Sequence, residues 1–279
     1  MGEKKPPQRE APNPWGGAGG GGWVALQGIL DGLFRPIEER IVAALPPRSQ
    51  RVLDVGCGTG ATTVAIAQQL GARCTGIDLS EPMITAALAR AAREGAPAEF
   101  ILADAQTHPL EATAYDAITS RFGVMFFRDP VAAFANLRRA ARPGAPLRMV
   151  AWRSAGENPF MTAAEEAAAP LLPSLPKRQP DEPGQFGFAD AGRVRRILSG
   201  SGWAEIDLSP LDVPCAFPRD AQDAYLSQLG PVGRHLQTEP EDVRARVLAA
   251  VRPAFDAYLH GDEIRFTAAC WMIGARAEP

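Results

Sequence analysis

Between Trp23 and Ala44, apolar residues recur at helical spacing: Val24, Leu26, Ile29, Leu30, Leu33, Phe34, Ile37 and Ile41. That stripe predicts one amphipathic helix, bent at Pro36 and ended by Pro46-Pro47. From residue 51 the period changes. Short apolar runs predict strands at 51–55, 73–77, 98–102, 115–119 and 147–152. Helical stripes fill the gaps at 61–70, 81–94 and 131–141. Ser80 and Pro82 start the second of these and Gly95 stops it. Strands alternating with helices in this way predict a doubly wound, mostly parallel α/β sheet.

After residue 152 the rhythm breaks. Residues 153–188 carry six prolines and one helix near 161–169. A helix at 190–200, a strand at 203–208, helices at 220–229 and 241–259, and a last strand at 264–275 complete seven strands. Residues 1–22 hold seven glycines and four prolines. Such a stretch buries too little apolar surface to offset its ordering entropy, so a disordered tail is expected there. A single domain is expected over 23–279. Its core would be 51–152, and 153–188 and 209–262 would be helical insertions over one edge.

Charge and cysteine usage narrow the function classes. There are 29 basic and 32 acidic residues, a net charge of −3. No dense basic run exists to neutralise phosphates, which argues against nucleic acid as a partner. No run approaches the length and apolarity of a membrane span. Cys57, Cys74, Cys215 and Cys270 are scattered and form no CxxC pair. No metal site is expected from them, and their sparseness fits a reducing, cytoplasmic setting.

The chemistry concentrates in Val52-Leu53-Asp54-Val55-Gly56-Cys57-Gly58-Thr59-Gly60. A strand, a glycine-rich turn and a helix start present backbone N–H groups to an anionic or polar ligand. Alone, the turn also matches a dinucleotide fingerprint. Three carboxylates add context. Asp54 lies inside the first strand, Asp78 closes the second, and Asp104 follows the third. All three face the sheet edge where open α/β folds bind ligands. Asp78 suits ribose hydroxyls and Asp104 an adenine amino group.

With these residues in place, the segments VLDVGCGTG, TGIDLSEPM, FILADAQ and YDAITSRFGVMFF strongly resemble class I S-adenosylmethionine-dependent methyltransferases. The resemblance implies a Rossmann-like seven-stranded sheet with the last strand antiparallel. It implies S-adenosylmethionine as cofactor and a small-molecule methyl acceptor. Gly56 and Gly58, with Cys57 between them, would hold the methionine portion, supported by Asp54. Asp78 would bind the ribose, Leu79 and Met83 would lie against the adenine, and Asp104 and Ala105 would meet its amino group. Ser120 and Arg121 would stand near the sulfonium and the acceptor, and Trp23 would either help cover the site or pack in the core.

Methyl transfer is an in-line displacement, so a base is needed only when the acceptor must lose a proton. Of the three histidines, His235 is the candidate base, and Arg121 is a second catalytic candidate. Ser120-Arg121-Phe122-Gly123 departs from the Asn/Asp-Pro-Pro-aromatic pattern of enzymes that methylate amide or base nitrogens. The lack of paired cysteines argues against arsenic as acceptor. Phe122, Phe126 and Phe127 follow the fourth strand on the same edge; Phe126 and the proline-rich insertion suggest an apolar acceptor, and aromatic core packing explains them equally well. Two alternatives stand: a nicotinamide-dependent oxidoreductase on a similar fold, and a catalytically silent S-adenosylmethionine-binding protein. The first lacks a Tyr-x-x-x-Lys pair.

Overall fold

The structure is a computed structural model that describes Trp15, residues 18–176, Arg178 and residues 182–278. The chain opens with two helices, α1 at Ala18–Ala25 and α2 at Gln27–Ala43. The single helix expected from Trp23 is therefore broken at Leu26, and Pro36 lies within the unbroken span of α2. Order also begins inside the stretch expected to be a tail; its residues 1–14, 16 and 17 lie outside the described residues. Four consecutive glycines are a poor helix composition, at about 1 kcal/mol each relative to alanine. Tertiary packing overrides that cost. A Cβ on Gly20 would lie 2.3 Å from Ser80 Oγ, and one on Gly22 would lie 2.8 Å from the Gln228 carbonyl oxygen. Only glycine lets α1 sit this close to both neighbours.

The alternating region follows: β1 Arg51–Val55, α3 Ala61–Leu70, β2 Arg73–Asp78, α4 Glu81–Glu94, β3 Ala98–Leu102, β4 Ala117–Arg121, α5 Pro130–Ala140 and β5 Pro146–Trp152. The fourth strand lies two residues later than expected. Tyr115 makes only an isolated bridge to Ala141, and the strand runs on through Ser120 and Arg121 to the ligand-binding edge. The rest of the chain forms α6 Ala163–Ala168, α7 Ala191–Gly200, β6 Trp203–Pro218, α8 Gln222–Gln228, α9 Gly230–Leu236, α10 Glu241–Val251, β7 Leu259–His260 and β8 Glu263–Ala277.

The sheet order is β3-β2-β1-β4-β5-β8-β6, with the short β7 paired to β8. β1 to β5 pair in parallel, and β8 runs antiparallel to both β5 and β6. The mostly parallel seven-stranded sheet with an antiparallel last strand is thus observed. Strand order reverses between β1 and β4, which opens a crevice at their C-terminal ends. Ile37 and Ile41 of α2, Leu53, Ile66, Ile77, Ile118 and Leu147 are wholly buried between the layers.

Two expectations about the insertions change. The 209–262 stretch begins as strand, because β6 continues to Pro218. Pro210, Pro214 and Pro218 are tolerated there because β6 ends the sheet order and pairs only with β8. The helix expected at 241–259 ends at Val251 and tightens into a 3-10 turn over Arg252–Tyr258, where Pro253 removes a backbone donor. An aromatic knot fixes this region to the sheet. The Phe160 ring stacks on Phe266 at 3.9 Å and meets Phe255 and Tyr258 edge-on at 5.1 Å each.

Candidate active site

The turn after β1 carries three glycines at positive φ: Gly56 at 67°, Gly58 at 55° and Gly60 at 81°. Their surroundings differ. A Cβ on Gly56 would lie 2.5 Å from the Gly123 Cα, and one on Gly60 would lie 2.9 Å from the Ala87 Cβ. Both glycines are demanded by the protein's own packing. A Cβ on Gly58 would meet only Met83 Sδ, at 3.7 Å. Gly58 is therefore the member of the turn with an open face. Cys57, between Gly56 and Gly58, is buried, and burial pushes its thiol well above the usual range; it is a packing residue, not a nucleophile.

Asp54 is buried within β1 and accepts a hydrogen bond from Thr63 Oγ1 at 2.6 Å. Burial raises its carboxyl to about 6, opposed by the Thr63 hydrogen bond and the Arg121 charge. Arg121 ends β4. Its Nε donates to Thr62 Oγ1 at 3.0 Å, and its guanidinium lies 5.5 Å from the Phe34 ring centroid. Its charge thus faces α2 and α3, where it acts on Asp54 and on Glu38. Burial raises the Glu38 carboxyl too, and Arg121 is the largest opposing influence.

Asp78 holds the turn from the neighbouring strand. Its Oδ2 accepts from the Gly58 N–H at 2.8 Å and its Oδ1 from the Ser80 N–H at 2.9 Å. Burial raises its carboxyl, while those N–H donors pull it down. An ionised carboxylate offers about four acceptor directions, so capacity remains for hydroxyl donors. Asp104 Oδ1 accepts from the Gln106 N–H at 2.8 Å. Among the described residues its Oδ2 carries no hydrogen bond. Asn136 Nδ2 donates to the carbonyls of Ala105 and His108 at 2.9 Å each and fixes this loop. Met83 is buried under the turn, Ala105 is buried beside it, and Leu79 is 44% exposed at the rim.

Ser120 is wholly buried. Its hydroxyl donates to the Val55 carbonyl at 2.7 Å and accepts from the Gly123 N–H at 3.1 Å. The position expected to stand near the sulfonium ties β4 to the start of the glycine turn. Phe122 follows at φ 68°, a left-handed conformation that is uncommon for a bulky residue. It stacks on Trp152 at 4.5 Å and meets Phe34 edge-on at 5.5 Å. Trp23 lies 6.4 Å from Phe34, and Trp15 links Trp23 at 6.0 Å to Phe126 at 4.8 Å. An aromatic wall therefore runs from the N-terminal segment to the ends of β4 and β5.

His235, the candidate base, lies within α9, with Nε2 3.0 Å from Glu239 Oε1. Among the described residues, no group of three or more His, Cys, Asp or Glu could hold a metal ion, and no helix is long and apolar enough to cross a membrane. Sequence reasoning passed over Glu38 and Arg90. Both were findable as charges on apolar stripes, Glu38 between Phe34 and Ile41, and Arg90 beside Ala87 and Ala91.

The residues present fit an adenosyl sulfonium ligand. The open face of Gly58, the spare acceptor capacity of Asp78 and Asp104, and the apolar rim at Leu79 supply matching surfaces. Comparison with known proteins agrees. Residues 52–144 match a family model described as a methyltransferase domain. A demethylmenaquinone methyltransferase of Renibacterium salmoninarum is 26% identical over 179 residues, covering 61% of this chain and 73% of that one. A nocamycin O-methyltransferase of Saccharothrix syringae is 35% identical over 126 residues, covering 42% and 45% respectively. A Haemonchus contortus phosphoethanolamine N-methyltransferase, solved with S-adenosyl-L-methionine, superposes with a TM-score of 0.53 at 17% identity, covering 92% of this chain and 53% of that one.

Proposed function

Because the chain belongs to the class I S-adenosylmethionine-dependent methyltransferases, we propose that it methylates a small, apolar, ring-bearing acceptor. The observation that carries this reading is the set Asp54, Asp78 and Asp104 around the glycine turn, with an aromatic cluster packed at the ends of β4 and β5. The cofactor, when bound, supplies a methyl group on a positively charged sulfur with a neutral leaving group.

The chain's own residues then position and exclude water. Gly56 and Gly58 form the cradle, Asp78 takes ribose hydroxyls, and Asp104 and Ala105 meet the adenine edge. Asp54 and Ser120 act from beneath by fixing the strand ends. The partly buried Trp15, Trp23 and Phe126 offer aromatic faces to an acceptor, backed by the buried rings of Phe34, Phe122 and Trp152. Holding reactants in a near-attack arrangement supplies about 7–11 kcal/mol of a barrier in well-oriented systems. The insertions at 153–188 and 209–262 border the acceptor. Relatives named for demethylmenaquinone and for nocamycin support a small-molecule acceptor.

The test is turnover against a panel of phenols, quinols, amines and carboxylic acids, read as a mass gain of one methyl group. Methylation of phenols or quinols is the expected outcome. Binding of the cofactor with no turnover on any apolar ring compound would overturn the acceptor class.

A further inference from the structure

We propose that Arg90 is a positioning residue that locks the glycine turn and the N-terminal helix α2 into one unit. The inference rests on the reading of that turn as the cofactor cradle. Arg90 lies on α4 in the buried stripe of Met83, Ala87 and Ala91. Only 9% of its side chain is exposed. A guanidinium so enclosed needs polar partners around it, and they come from three elements. Its Nε donates to the Thr59 carbonyl at 3.0 Å. Its Nη2 donates to Asp31 Oδ2 at 2.5 Å. Its Nη1 stands 3.7 Å from Glu94 Oε1, one turn along α4. The Gln27 amide faces the same guanidinium, and its carbonyl oxygen is the atom that satisfies both groups.

Thr59 lies between Gly58 and Gly60. Fixing its carbonyl orients the Thr59–Gly60 peptide plane, one residue beyond the open-faced Gly58. Gln27 and Asp31 lie in the first two turns of α2, which carries Phe34 into the aromatic wall and Glu38 toward Arg121. One planar fork therefore joins the cradle to the helix that walls the crevice. Lysine has one point charge and no planar fork, so it cannot satisfy Thr59, Gln27 and Asp31 in the same geometry. Arg90 touches neither reacting atom and acts through Thr59.

The test compares wild type, Arg90→Met, Arg90→Lys and Asp31→Asn. Calorimetry gives the Kd for S-adenosylmethionine, and hydrogen exchange is followed on the unliganded protein. Arg90→Met is expected to raise Kd by about tenfold or more, the usual scale for losing charged hydrogen bonds, with partial rescue by lysine. Exchange is expected to quicken together at residues 57–61 and 27–34 while the strands keep their protection. Asp31 is partly exposed, so Asp31→Asn gives the same readouts if the methionine variant fails to fold. A folded variant with Kd within twofold of wild type, or quickened exchange confined to α4, overturns the proposal. Wild-type protein that binds no S-adenosylmethionine overturns the proposed function instead, and the exchange pattern still decides the clamp.

Discussion

Gly56, Gly58 and Gly60 share a left-handed backbone for separate physical reasons, and substitution separates them. Gly56→Ala drives a Cβ into the Gly123 backbone, where nothing can give. It is expected to destabilise the fold by at least 2–3 kcal/mol, about the scale of an overpacked core plus a strained φ, read as a lowered denaturation midpoint. Gly58→Ala meets open space and costs only the strain, about 1–2 kcal/mol, but puts a methyl group on the cradle's open face. Its effect is expected mainly in cofactor Kd. Equal loss of stability in the two variants would contradict this division.

Asp54 gives a pH signature at the same scale. Its carboxyl titrates near 3.8 in the unfolded chain and at about 6 when folded. Between those values the folded state holds the proton longer, so stability falls as pH rises from about 4 to 6 and levels off above. The full effect is about 3 kcal/mol. Asp54→Asn removes the group that titrates. The stability of wild type relative to the variant is expected to decline across that window. A difference that stays flat from pH 4 to 6 would contradict the raised titration of this buried carboxyl.

At the scale of elements, α1 shows where local propensity and tertiary packing part. A glycine run reads as disorder in isolation. Here Gly20 and Gly22 let a helix settle between Ser80 and Gln228. Gly20→Val is expected to push α1 off Ser80, lower stability by about 1–3 kcal/mol and disturb the fluorescence of Trp15 and Trp23. A variant with unchanged stability and emission would mean that α1 is not seated there. The alternating strands and helices of 51–152 were legible because short apolar runs, buried on both faces in β1, β4 and β5, alternate with helices that bury one stripe. β6 was not legible beyond Leu208, because three prolines mask a strand that survives only by its place at the end of the sheet order.

At the scale of the whole molecule, the cradle could be read in advance because its residues sit at fixed offsets from strand ends. Gly58 lies in the turn after β1, Asp78 ends β2, Asp104 follows β3, and Asp54 is buried within β1. The acceptor side was less legible. The aromatic cluster proposed for it joins Trp15, Trp23, Phe34, Phe122, Phe126 and Trp152 from distant parts of the chain, and no local spacing announces such a set. The hydrogen-bond partners of Ser120 and Arg121 were not legible for a related reason. Sequence gives a residue's place along a strand but not the partner its side chain finds, and here those partners are Val55, Gly123 and Thr62.

The central claim is that this crevice holds S-adenosylmethionine through Asp78. Its most direct test is calorimetric titration of wild type and Asp78→Ala with S-adenosylmethionine, with NAD as control. Saturable binding by wild type, weakened by about 1–3 kcal/mol in the folded variant, with no binding of NAD, is the predicted result. Folded wild-type protein that shows no binding at millimolar S-adenosylmethionine, or an Asp78→Ala variant of unchanged affinity, would contradict it.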